Sequence, residues 1–183
     1  MKKKGLALLV ALVLVIGCVI GGTLAWLTAQ SDPVVNTFST SDIKVELEET
    51  TGTEYKMIPG YTISKDPTAT VLPGSEECYL FVKLEKSQNF DDYMTYEMAA
   101  GWKLVSGETN VYFRKVLTTD IGTSYSVLKG NQVTVRDTVT KEMMKAAEQN
   151  NPTLKITAYA SQLYKTNGVK FTAAEAWDIV KPA

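Results

Sequence analysis

The chain has 183 residues, with 19 basic and 20 acidic side chains and no histidine. The missing histidine removes Ser-His-Asp and Cys-His nucleophile activation, zinc-peptidase H-E-x-x-H chemistry and His-based metal sites. The near-balanced charge gives no footprint for nucleic acid, and we expect no such partner.

Met1-Lys2-Lys3-Lys4 leads into Gly5–Leu27, which contains no charged residue. Three lysines ahead of an apolar run make an export signal or an anchor. Small residues at Thr23, Ala25 and Ala29 mark cleavage after Ala25 or after Ala29. Retained, the run has the length of a transmembrane helix. Val15-Ile16-Gly17-Cys18 also has the form of a lipobox, with Cys18 as the lipidated residue, although Val19-Ile20-Gly21-Gly22 continues the apolar run. All three fates place the rest of the chain outside the cytoplasmic membrane, with membrane contact only through this segment. We therefore divide the sequence into a signal peptide, 1–25 (or to 29), an extension, 26–41, and a domain, 42–183. With the signal gone, Cys78 is the only thiol and no internal disulfide is possible. A lone thiol is either buried and inert or able to pair between chains, and its place at the head of an alternating strand favours burial.

The extension carries Pro33 and little charge, so it is no helix. Val34, Asn36 and Phe38 share one parity of an extended segment, and Val35 the other. Asp42–Glu48 alternates, with Ile43, Val45 and Leu47 on one face. Turns at Gly52 and Pro59-Gly60 precede the strand-like Tyr61–Ser64; Asp66-Pro67 starts the extended piece Thr68–Leu72, and Pro73-Gly74 ends it. Cys78–Glu85 is the clearest strand: Cys78, Leu80, Val82 and Leu84 face inward. Tyr79 and Phe81 take the outer parity, which predicts a second layer over that face. Ser87–Asp92 reads as a polar loop. Tyr93–Met98, Trp102–Val105, Val111–Val116, Ser126–Leu128 and Val133–Val135 are further strands. Thr140 caps a helix over Lys141–Gln149. Leu154–Leu163 returns to strand, with Leu154, Ile156, Ala158 and Ala160 on one face. Thr172 and Glu175 form a capping box for a last helix, Ala173–Val180. Eight to ten short strands with one or two short helices, at this turn spacing, predict an all-β, jelly-roll-like sandwich behind the N-terminal signal or transmembrane helix.

The chain offers little for catalysis. Ser41–Lys44 and Ser126–Lys129 match S-x-x-K, but both fall on strands or strand ends, where a serine-lysine pair would not be poised. Asp91-Asp92 and Glu46-Glu48-Glu49 could supply oxygen ligands to calcium but lack EF-hand spacing, and read as solvated faces. We expect no enzyme activity, no cofactor and no metal site.

Gly21-Gly22-Thr23-Leu24-Ala25-Trp26-Leu27-Thr28 with Asn36-Thr37-Phe38-Ser39 resembles the export signal of SipW clients, the TasA and camelysin-like secreted proteins of Gram-positive bacteria. Ile63-Ser64-Lys65-Asp66-Pro67, Gly74-Ser75-Glu76, Thr157-Ala158-Tyr159-Ala160-Ser161-Gln162 and Ala176-Trp177 resemble later parts of clostridial members. The resemblance implies a jelly-roll sandwich released by a SipW-type signal peptidase. It also implies self-assembly into biofilm-matrix or cell-surface fibres. There the segment left after cleavage, about Trp26–Ser39, would enter the next subunit as a donor strand, with Val34, Asn36 and Phe38, or the opposite parity with Val35, filling its groove. Alternatively, Asn36–Ser39 begins the domain's own first strand. Camelysin-like proteins have also been labelled metallopeptidases; without histidine, no zinc-peptidase mechanism is expected here. A surface-displayed monomer that binds carbohydrate or a host ligand is the competing reading.

Overall fold

The computed structural model describes residues 42–52 and 55–182. Gly5–Leu27, Cys18, Ala25, Ala29, Val34, Val35, Asn36 and Phe38 lie outside the described residues. Within them no helix is long and apolar enough to cross a membrane.

The described chain is mostly antiparallel β-sheet with three short helices. The strands are β1 (Val45–Glu48), β2 (Thr62–Ser64), β3 (Thr68–Val71), β4 (Cys78–Lys86), β5 (Met94–Thr95), β6 (Lys103–Leu104), β7 (Val111–Val116), β8 (Ser124–Ser126), β9 (Gln132–Val135) and β10 (Leu154–Gln162). The helices are α1 (Phe90–Tyr93), α2 (Lys141–Ala147) and α3 (Ala173–Val180).

One sheet has the order β10-β4-β7-β6. Two shorter ladders, β1-β3-β8 and β2-β9-β5, run end to end. They are stitched by Lys65 N–H to the Asn131 carbonyl at 2.8 Å and Val127 N–H to the Pro67 carbonyl at 2.9 Å. The chain after β5 stays alongside: Met98 bridges Leu128, and Ala99 N–H donates to the Val127 carbonyl at 2.9 Å. The ladders thus form a second, kinked layer facing the first. Ala69, Val71, Val133 and Val135 of this layer share one apolar core with Cys78, Leu80, Val82 and Leu84 of β4. Ile43, Val45 and Leu47 pack on that core, as do Leu154, Ile156, Ala158 and Ala160, each set on the face its alternation predicts.

The expected second layer over Tyr79 and Phe81 is α3. Trp177 lies 5.4 Å from Phe81 and edge-on to Tyr159 at 5.2 Å, centroid to centroid, and Val105, Val111 and Leu163 complete this smaller core. The capping box forms as read: Thr172 N–H donates to the Glu175 carboxylate at 2.9 Å, and Glu175 N–H to Thr172 Oγ1 at 3.3 Å. Thr140 Oγ1 accepts from Met143 N–H at 3.3 Å, and α2 ends at Ala147, short of the expected Gln149.

The strand expected over Ser126–Leu128 lies earlier, at Ser124–Ser126, and a second stretch, Ser87–Met98, differs more from the sequence reading. Ser87–Asp92 is not wholly a loop: its end turns into α1, and the strand expected over Tyr93–Met98 is regular only at Met94–Thr95. The cause is burial. One helical turn sets Phe90 and Tyr93 on the same side, where both enter the core, while Asp91 and Asp92 stay in solvent.

Candidate functional site

The sheet edges are the first feature with functional content. Among the described residues β10 pairs only with β4, and β2 only with β9. The parity of β10 follows from the bonds beyond its ends. Ser87 N–H donates to the Thr153 carbonyl at 3.0 Å, and Leu163 N–H to the Glu77 carbonyl at 3.4 Å. Odd-numbered residues therefore turn their peptide groups toward β4. Leu154, Ile156, Ala158, Ala160 and Gln162 turn theirs away from the sheet, where no strand among the described residues meets them. This is a nine-residue strand with one charge, Lys155, and a row of backbone donors and acceptors that no described strand pairs, although β1 lies close by.

A cavity of about 530 Å³ opens at the Leu154 end of this edge. Ile63 of β2, Val133 of β9, Met94, Phe90 and Leu154 give it an apolar lining, with Met57 above. Tyr55 and Lys65 stand at its polar side. They belong to a clasp. Lys65 Nζ donates to both Glu49 carboxylate oxygens at 2.7 Å, and Tyr55 Oη to Glu49 Oε1 at 2.7 Å. Asp66 accepts from the backbone N–H groups of Thr50 and Thr51 at 3.0 Å and from both their hydroxyls at 2.5 and 2.9 Å. The Thr50 hydroxyl first, then the Thr51 donors, hold the Asp66 carboxyl far below the ordinary carboxylate range. Burial, with the acids beside it, pushes the Tyr55 phenol upward.

The motifs behind the family resemblance therefore sit at structural positions. Lys65 and Asp66 form the clasp, Thr157–Gln162 belong to the open edge strand, and Trp177 anchors the outer core. Ser75 Oγ accepts from Lys44 N–H at 3.0 Å, tying the turn after β3 to the start of β1.

The sequence's other chemical candidates are dispersed. Lys44 pairs with Asp42 at 3.3 Å and Lys129 with Glu97 at 2.5 Å, both exposed, so neither lysine of the S-x-x-K strings is a desolvated base. Asp91 is held by Lys86 at 2.6 Å, and Glu49 by Lys65. Cys78 is fully buried, and burial alone pushes its thiol up to about 11. Sequence reading missed the cavity, because its lining comes from five separated segments. It found the β10 alternation but not that the strand lies at an edge, which depends on the order of pairing.

No family model, no curated protein and no solved structure matches the chain.

Proposed function

We propose that the protein is an exported structural subunit of a cell-surface or biofilm-matrix fibre, in the manner of SipW-processed TasA and camelysin-like proteins. A SipW-type signal peptidase removes the N-terminal segment at Ala25 or Ala29. The released extension, Trp26–Ser39, then adds as a strand to the next subunit, with Val34, Asn36 and Phe38, or Val35 on the opposite parity, in its groove.

The observation that carries this reading is the outward row of peptide groups on β10 beside a cavity with one apolar wall. Main-chain hydrogen bonds along such an edge give affinity, and alternate side chains set the register. A jelly-roll reading of the sandwich is supported by its strand order: β10-β4-β7-β6 faces a layer in which β1, β2 with β3, β8 with β9, and the β5 segment follow one another. Nothing in this function calls for catalysis or a cofactor.

The test is removal of Trp26–Ser39 from the secreted form. The full mature chain polymerises under electron microscopy, and the trimmed chain stays a folded monomer. Fibres from the trimmed chain would refute donor-strand assembly. The cavity supports one competing reading, a monomeric surface module binding carbohydrate or a host ligand. That reading requires the untrimmed mature chain to remain monomeric at high concentration.

A further inference from the structure

Arg114 lies where an arginine is not expected. It is on β7 directly opposite Leu80 of β4, so it projects from the inner face of the sheet, between Tyr112 and Val116 of the same parity. Across the sandwich, the Tyr125 ring centroid lies 3.7 Å from its Cζ, and the Trp102 ring 5.2 Å. Trp102 is itself fixed by its indole N–H, which donates to the Ser126 carbonyl at 2.9 Å. Gly101, at φ +90°, lets the chain pass against the guanidinium: a Cβ there would fall 2.5 Å from Nη2.

The guanidinium is thus held in place, but by rings rather than by anions. Among the described residues it makes no hydrogen bond and no ion pair, and burial lowers its pKa. Asp120, the acid whose field it feels, is occupied at the turn after β7, where its carboxylate accepts from Leu117 N–H at 3.4 Å. The chain's other arginine behaves differently: Arg136 Nε donates to the Asp91 carbonyl at 2.7 Å. No Arg114 nitrogen is both buried and unpartnered, so its N–H groups stay open to solvent, and a guanidinium fork fits a two-oxygen anion.

We propose that Arg114 is a binding site for a carboxylate, received in plane along the guanidinium edge. One cation matches one carboxylate charge. A phosphate dianion would call for a second positive group, and the neighbouring Lys103 and Lys115 project from the opposite face of the sheet. Lys103 is opposite Phe113 and Lys115 opposite Tyr79, both residues of the outer core. The carboxylate comes from a free small acid or from an acidic side chain of a polypeptide. This site does not depend on the fibre reading.

The chain has two arginines, so their Nε–H signals in a ¹⁵N spectrum of the full-length protein form a site and a control. Sodium acetate is expected to move the Arg114 signal to saturation and leave Arg136 in place. Arg114→Lys, which keeps the charge and loses the fork, is expected to weaken acetate about tenfold, followed through the Trp102 indole signal. A blocked Gly-Glu-Gly peptide separates the sources: a matching response assigns the carboxylate to a polypeptide, and acetate alone assigns it to a free acid. An unsaturable response to acetate in the unsubstituted protein overturns the proposal. So does equal movement of Arg136, unchanged acetate affinity in Arg114→Lys, or tighter binding of inorganic phosphate than of acetate.

Discussion

The two edges of the β10-β4-β7-β6 sheet are built in opposite ways. β6 is two residues long, exposed on both, and one of the two is Lys103. That is how proteins blunt an edge: short, charged and unable to template a neighbour. β10 is nine residues long, carries one charge, and directs five peptide units outward beside a cavity. An edge of that length and composition invites pairing. Among the described residues the same sheet thus blunts one edge and leaves the other unpaired, which is what accepting a strand at β10 would require.

The largest effect should come from the open edge itself. Ala158→Pro with Ala160→Pro removes two outward N–H donors and leaves the odd-numbered bonds to β4 intact, since proline is tolerated on the free side of an edge strand. Sedimentation should find a folded monomer that no longer polymerises, whereas Lys103→Thr on β6 should polymerise normally. Equal loss in both would erase the distinction between the edges.

Next is the support under β10. Trp177→Ala strips α3 of the ring that meets Tyr159 and Phe81, at a cost of about 3–5 kcal/mol by denaturant unfolding. Amide exchange should quicken along β10 while β6 is little changed.

A pH series probes the same buttress more gently. The Lys165 ammonium first, then the Thr172 donors, lower the Glu175 carboxyl from about 4.5 to about 2. Because the folded-state value is the depressed one, its contribution is complete above pH 4.5 and is lost as pH falls toward 2. In Glu175→Gln that part of the acid destabilisation should be missing from thermal melts. The smallest change is Thr172→Ala, which removes the cap of α3 and should cost about 1 kcal/mol.

Much of this was legible in the residues. Alternation located β4 and β10 and assigned their core faces, because side chains of one parity meet the core, while β7 was found by its β-rich composition. Tyr79 and Phe81 on the wrong parity announced the outer layer before α3 was seen to supply it. The capping residues Thr140 and Thr172 fixed both longer helices, since the orphan N–H groups of a first turn need such partners nearby. Phe90–Tyr93 escaped because one helical turn is too short to show a period. The open edge, the cavity and the place of Arg114 escaped for a different reason. Each depends on which strands lie side by side, and that order is set by long-range packing that local pattern does not encode. The face of Arg114 follows only from its register with Leu80.

The most direct measurement is hydrogen exchange of the outward amides of Ile156, Ala158 and Ala160, compared between monomer and assembled material. The account predicts rapid exchange in the monomer and strong protection after assembly, with protection abolished when Trp26–Ser39 is removed. Fibres in which these three amides still exchange at the monomer rate would contradict it.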